Sequence, residues 1–251
     1  NGNTILITGG GSGIGAALAQ RLHDLGNTVV VAGRRREALD RACEGRARMH
    51  AMVLDMEKAD GIAEFAQRLL AGHPALNVLV NNAGIMRFEA LDRKRDLSDA
   101  QETIATNLLG PIRLTDALIG HIVAQDDAAI VNVSSGLAFV PLTTTPTYNA
   151  TKAAIHSYTI SMREALRGRV EVIELVPPAV QTGLTPDQET RPGYMPLKDF
   201  MDEAMALLTR QPTPPEILVE RVAFQRRAEA EGRFEETLRQ LNEMAAKARQ
   251  G

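Results

Sequence analysis

The stretch Thr4 to Gly15, Thr-Ile-Leu-Ile-Thr-Gly-Gly-Gly-Ser-Gly-Ile-Gly, joins an apolar β-branched run to a helix through a turn almost devoid of side chains. Gly9, Gly13 and Gly15 allow positive φ, close passage of backbone past a bulky ligand, and tight packing of the helix on the strand. A helix opening near Ile14 aims unpaired N–H groups and its positive dipole end at the turn, where phosphates bind. A glycine cluster by itself is often only a turn. Here, however, Ile5 to Ile7 precede the glycines, and Ile14, Ala17, Leu18, Leu22 and Leu25 recur at helical spacing before Gly26. Strand, loop and helix in that order predict an α/β sheet that cradles an anionic cofactor.

At 251 residues the chain can bury a full core, and one α/β domain over 1–251 is the economical reading. No apolar run approaches the roughly eighteen residues of a membrane span, and the start lacks a charged-then-apolar secretion segment. A soluble cytoplasmic protein without membrane partners is therefore expected. Cys43 is the single cysteine, so no intramolecular disulfide is available. No Cys/His group has zinc-ligand spacing, and no metal site is expected. The net charge of −3 and the scarcity of aromatic residues argue against nucleic acid as a partner. Arg34-Arg35-Arg36 is the one compact basic cluster.

Strand and helix signals alternate along the chain. Strands are predicted at Thr28 to Ala32, Met49 to Leu54, Asn77 to Val80, Ala129 to Val133, Val170 to Val176 and Glu216 to Val219. Helices are predicted over Glu37 to Glu44, Leu97 to about His121, Tyr148 to Ala165 and Lys198 to Leu208. Pro111 lacks an N–H and should interrupt the second of these. Tyr148 and Lys152, four residues apart, share one helical face.

The spacing Thr8-Gly9-x-x-x-Gly13-x-Gly15 resembles that of the short-chain dehydrogenase/reductase family. So do Asn81-Asn82-Ala83-Gly84 after the fourth strand, Ser135 at the end of the fifth, and Tyr148-x-x-x-Lys152. Singly such matches are commonplace; together, in order, they make coincidence implausible. The resemblance covers roughly Thr4 to Leu208, and Ser134 to Thr159 further resembles bacterial members named for the D-alanylation-operon oxidoreductase. It implies a doubly wound Rossmann-type parallel sheet of order 3-2-1-4-5-6-7 and an NAD(P)-dependent oxidoreductase interconverting an alcohol and a carbonyl. A nucleotide-binding regulator or scaffold with little turnover is the alternative.

The implied roles fit the side chains. Carbonyl reduction needs a proton donor at an oxygen whose negative charge grows in the transition state. Tyr148 supplies it, with an unperturbed pKa near 10 that a nearby cation, Lys152, should lower. By resemblance, Lys152 also holds the nicotinamide ribose, Ser135 hydrogen-bonds the substrate oxygen, and Asn107 holds a water in the proton relay; Ser134 is the nearest rival to Ser135. Cofactor contacts are implied for Gly9, Ser12, Gly13, Ile14 and Gly15, and for Asn82, Ala83 and Gly84, with Asn81 structural. Asp55, followed by Met56, stands where the family contacts adenine, although a helix N-cap is an equally good account of it. Tyr148 and Lys152 themselves, Pro177, Val180 and Thr182 complete the set. Pro178 replaces the family's usual glycine and removes an N–H.

NAD-specific relatives carry an acidic residue at the end of the second strand. Gly33 and Arg34 occupy that region here, and an arginine can hold a 2′-phosphate, so NADP(H) is favoured over NAD(H). A solvated basic loop is the other reading of Arg34, and Ser12, where many NADP-dependent relatives have a second basic residue, weakens the expectation of NADP(H). A small or medium apolar substrate is expected from Leu137, Phe139, Val140, Leu142 and Leu184; Arg191 or Lys198 clamping an acidic one is the alternative. Residues 183–208 are expected to carry a substrate lid. The charged, helix-prone 224–251 extension, broken near Gly232, is either a solvated tail or a helix packed on a second subunit of a homo-dimer or homo-tetramer.

Overall fold

The computed structural model describes residues 1–247. Among them a seven-stranded, wholly parallel sheet forms in the order β3-β2-β1-β4-β5-β6-β7. The strands are β1 Thr4–Thr8, β2 Thr28–Gly33, β3 Met49–Val53, β4 Leu76–Asn81, β5 Ala129–Val133, β6 Glu171–Val176 and β7 Glu216–Leu218. Connecting helices are α1 Gly13–Asp24, α2 Arg36–Cys43, α3 Ala59–Gly72, α4 Ser98–Ile104, α5 Gly110–Ile122, α6 Pro146–Ala165 and α7 Leu197–Leu208. After β7 come α8 Glu220–Arg226 and α9 Phe234–Lys247.

The continuous apolar character of β1 and β2 follows from burial on both faces. Ile5, Ile7, Val29 and Val31 point into one core with Leu18 of α1 and Phe200 of α7, whereas Leu6 and Val30 point into the other with Phe65 of α3 and Leu114 and Leu118 of α5. The alternation is the period of two that a strand imposes. Among the described residues no helix is long and apolar enough to cross a membrane.

The interruption predicted at Pro111 lies in the turn before it. Residues Ala105–Leu109 form a π-helical turn in which the Gly110 N–H donates to the Ala105 carbonyl. Pro111 cannot donate to the carbonyl of Asn107, its partner in a regular α-helix, and the wider turn accommodates that loss. Asn107 sits inside this turn.

Two C-terminal expectations change. Helix α7 belongs to the core, with Phe200, Met201 and Ala204 buried, so only the segment before it lies over the sheet's carboxyl edge as a lid would. Helix α9 packs on its own chain: the Thr143 N–H donates to Asn242 Oδ1 at 2.8 Å, and Asn242 Nδ2 donates to the Pro141 carbonyl at 3.1 Å. Gly232, at φ +67°, falls in the break between α8 and α9. Residues 248–251 of the expected extension lie outside the described residues.

A buried polar ladder ties strands to helices. Asn81 Nδ2 donates to Asn132 Oδ1 at 2.9 Å and to Thr115 Oγ1 at 3.1 Å, and Asn132 Nδ2 donates to Thr159 Oγ1 at 2.9 Å. Asn132→Ala removes two of these bonds and leaves partners unsatisfied in the interior. Unfolding in denaturant should show a loss of about 2–4 kcal/mol; a loss under about 0.5 kcal/mol would show that the ladder contributes little.

Candidate active site

A cavity of about 500 Å³ opens along the carboxyl edge of β1, β4 and β5, where the sheet's connections diverge to opposite faces. It is walled on one side by the glycine loop. A Cβ on Gly15 would lie 2.4 Å from both Asn82 Nδ2 and the Gly9 carbonyl oxygen, and Gly9 holds φ at +67°. No larger residue fits either position. The contact is a built one: Asn82 Nδ2 donates to the Thr8 carbonyl at 2.8 Å, and Thr8 Oγ1 accepts from the Asn82 and Ala83 N–H groups at 3.0 Å each. At the start of α1, among the described residues, no side chain caps the helix and the first turn holds no acid, which leaves its amides free to face an anion.

Every residue expected to contact cofactor lines this cavity: the glycine loop with Ser12 and Ile14, Arg34, Asp55 and Met56, Asn82 to Gly84, and Pro177, Val180 and Thr182. Ser135, Tyr148 and Lys152 line it too. Asp55 is not a helix N-cap, since Lys58 precedes α3; its Oδ1 accepts from the Glu57 N–H at 3.1 Å. Asn81 is buried in the polar ladder, as expected.

Asn107 stands behind the lining. Its Oδ1 accepts from the Ile85 N–H at 2.9 Å and its Nδ2 donates to the Ile85 carbonyl at 2.8 Å, which clamps the chain just past Gly84. A Cβ on Gly84 would meet Asn107 Oδ1 at 3.4 Å and Lys152 Nζ at 3.7 Å, so both side chains reach this backbone position.

Of the five residues expected to form an apolar pocket, four do not line this cavity. Phe139 packs its ring against His156 and beneath the Arg226 guanidinium, both at 4.7 Å, and Val140 is fully buried. Leu137 and Leu142 are also absent from the lining, and only Leu184 contributes. The turn after β5 folds back on α6 and α8, which sequence spacing does not reveal. Arg191 stacks on Tyr194 at 5.4 Å and Lys198 pairs with Asp202 at 2.6 Å; neither lines the cavity.

Residues not singled out beforehand also line the cavity. Arg35 NH2 donates to Ser12 Oγ at 3.4 Å, bringing a second cation to the loop. Arg87 lines the wall, and Glu102 joins it to Arg34, accepting at 3.1 and 3.4 Å respectively. Gln188 pins the segment over the cavity through bonds from its Nε2 to the Val180 carbonyl at 2.8 Å and Thr182 Oγ1 at 3.2 Å. The basic run was visible in the sequence; Gln188 and Glu102 carried no signal.

Helix α6 brings Tyr148 and Lys152 to the end of β5, where Lys152 Nζ donates to the Val133 carbonyl at 2.8 Å and lies 5.6 Å from the Tyr148 ring centre. Both are deeply buried. Burial pushes the Tyr148 phenol up to about 12, against a hydrogen bond with Ser135 that acts the other way. The lowering of Tyr148 expected from Lys152 is thus absent, because desolvation outweighs other influences. Burial also draws the Lys152 amine down to about 8, opposed by the charge of Glu174.

A lysine with an ordinary value of 10.5 and a folded value of about 8 holds fewer protons folded than unfolded between those limits. Stability therefore rises with pH through that window and is lower below it. In the cofactor-free protein the unfolding free energy of the wild type, measured relative to Lys152→Met, should climb from pH 8 to pH 10.5. A flat or falling difference would contradict a depressed Lys152.

The chain also resembles known proteins along most of its length. Residues 3–192 match the family described as short chain dehydrogenase. Over 198 residues the chain is 42% identical to the uncharacterized oxidoreductase DltE of Bacillus subtilis (strain 168), covering 76% of this chain and 77% of that one. A short-chain dehydrogenase from Sphingobium yanoikuyae, solved in complex with NADPH, superposes with a TM-score of 0.78 at 26% identity, over 92% of this chain and 93% of that one. A 3-ketoacyl-(acyl-carrier-protein) reductase from Brucella melitensis, complexed with NADH, gives 0.76 at 26% identity, over 85% and 93%. With its sheet order, glycine loop and family match in agreement, the chain belongs to the short-chain dehydrogenase family of oxidoreductases, in its DltE-like branch.

Proposed function

We propose that the protein is an NADP(H)-preferring oxidoreductase that interconverts an alcohol and a carbonyl, with Tyr148 as the proton donor and acceptor. The observation that carries this reading is the convergence of Ser135, Tyr148 and Lys152 on the same cavity as the glycine loop. The close approach at Gly9 and Gly15 fits a bound pyrophosphate, and the first turn of α1 would hold it. When bound, the nicotinamide supplies or accepts the hydride. The relatives crystallised with NADPH and NADH make a nicotinamide nucleotide the natural occupant.

Ser135, which lines the same cavity and opposes the rise of the Tyr148 phenol, would orient the substrate oxygen towards it. Tyr148 is protonated across the neutral range, since burial holds its phenol near 12. It is therefore a poor acid until negative charge builds on the carbonyl oxygen, at which point proton transfer becomes favourable. Lys152, fixed on Val133, would hold the ribose and stabilise the phenolate left behind. Asn107, by clamping Ile85, would fix the backbone beside Gly84, which both Asn107 Oδ1 and Lys152 Nζ approach.

Replacing Tyr148 by Phe keeps the ring and removes the proton donor. Turnover should fall at least about a hundredfold with cofactor affinity nearly unchanged. Near-normal turnover would defeat the mechanism, while cofactor binding without turnover on any alcohol or carbonyl would favour a nucleotide-binding regulator.

The preference for NADP(H) is supported by Arg34 and Arg35 at the cavity edge beyond Gly33. Arg34 is half-exposed and paired with Glu102, so a phosphate dianion must displace or share that contact. Arg34→Ala should weaken NADPH binding by about 1.5–3 kcal/mol and leave NADH nearly untouched, as calorimetry can measure. Equal wild-type affinities for the two nucleotides would refute the preference.

A further inference from the structure

Behind the cavity, in the sheet itself, stands a carboxylate that the proposed chemistry does not use. Glu174 of β6 is fully buried, paired in register with Asn132 of β5 on one side and Glu216 of β7 on the other. Its Oε2 lies 2.7 Å from His156 Nδ1, and its Oε1 has no hydrogen-bond partner. As a carboxylate, which only accepts, Glu174 would take this bond from an Nδ1–H of His156. An acid held dry at the centre of a sheet is costly unless nearby positive charge compensates it.

The groups around it narrow the choice of compensating charge. Arg226 of α8 is bound doubly to Glu216, at 2.8 and 2.9 Å, and also feels the charge of Glu174. Arg163 of α6 donates to the backbone carbonyls of Val172 and Pro215, both at 2.8 Å. His156 is one helical turn beyond Lys152 on the same face of α6. Lys152 is anchored on Val133, the residue next to Glu174's register partner Asn132. Among the described residues His156, Glu174 and Glu216 also offer three ligand atoms within 4.8 Å of one another. The guanidinium of Arg226 already meets Glu216 there, so a metal would have to displace a bidentate ion pair.

We propose that Glu174 is a positioning residue for the active site: its buried carboxylate, oriented by His156, supplies the fixed negative charge that keeps the Lys152 side chain an ammonium. This deepens the oxidoreductase reading and rests on it for its purpose, though not for its test. Burial alone drives Lys152 towards a neutral amine, and Glu174 is the charge that opposes the change. A neutral Lys152 would neither attract a phenolate nor hold a ribose as strongly. The role of His156 is to fix the direction of the carboxylate through one charge-assisted hydrogen bond.

The test reads the lysine proton directly. The Lys152 side-chain resonance in the labelled full-length protein, assigned by its loss in Lys152→Met, is followed through a pH titration. In Glu174→Gln, which keeps size and loses charge, the Lys152 midpoint should fall by at least about one pH unit. In Glu174→Asp, which keeps the charge, it should stay within about half a unit of the wild type. A merely structural Glu174 would move both variants alike, and equal midpoints in wild type and Glu174→Gln would overturn the proposal. Should Glu174→Gln fail to fold, the wild type decides: a Lys152 midpoint below about 6 would mean that no effective charge sustains the ammonium, and the proposal falls, whereas a midpoint near 8 that drops in His156→Ala upholds it. Absence of turnover on every substrate, with the lysine shift intact, would sink the oxidoreductase reading and leave this one standing.

Discussion

One hydrogen bond, from Lys152 Nζ to the carbonyl of Val133 at 2.8 Å, fixes the relation between the sheet and the helix that carries Tyr148. It seats α6 against the end of β5. Tyr148 is thereby buried one turn earlier on the helix, beside Ser135, and both titratable groups leave water. Burial pushes each towards its neutral form, the phenol upward and the amine downward. A tyrosine held protonated suits a group that must give its proton only when charge develops opposite it. An amine pushed towards neutrality does not suit one that must remain a cation, which gives the buried carboxylate of Glu174 its significance.

The second constraint is the contact between the first and fourth strands. Thr8 Oγ1 accepts from two successive amides after β4, and Asn82 returns a bond to the Thr8 carbonyl. The glycine loop and the Asn-Asn-Ala-Gly turn are therefore one structure, closed at 2.4 Å from where a Gly15 Cβ would stand. This closure sets the wall against which a dinucleotide would lie. The Asn81–Asn132 ladder continues the same coupling into the interior and carries it to α6 through Thr159.

Much of this was legible because it is local. Apolar β-branched runs bounded by Gly and Asn announced the strands, and Tyr148 and Lys152 share a helical face at any four-residue spacing. The glycine loop declared itself because no other residue suits its positions. What sequence could not convey depends on where the chain returns. Phe139 read as pocket lining, but its partners His156 and Arg226 are distant in sequence, and these draw the turn inward. Asn242 reaches the Pro141 to Thr143 segment across about a hundred residues, a contact that no periodicity in a charged helix encodes. Pro111 announced an interruption, yet the π turn that resulted lies one turn upstream, because the lost donor is felt by the carbonyl four residues before it. The depressed phenol expected beside a lysine failed for a related reason: burial, which sequence does not give, is the largest influence on Tyr148 and raises it.

The central claim is that this cavity moves hydrogen between a nicotinamide and a substrate carbon with Tyr148 as the proton partner. Its most direct test uses NADPH carrying deuterium at the transferable position, incubated with a panel of carbonyl compounds and analysed by mass spectrometry of the products. The account predicts alcohol bearing one deuterium on the former carbonyl carbon with the wild type, and almost none with Tyr148→Phe under conditions where both proteins bind the nucleotide. Deuterium in the product at equal rates with both proteins, or none from a wild type that binds nucleotide and every carbonyl offered, would contradict it.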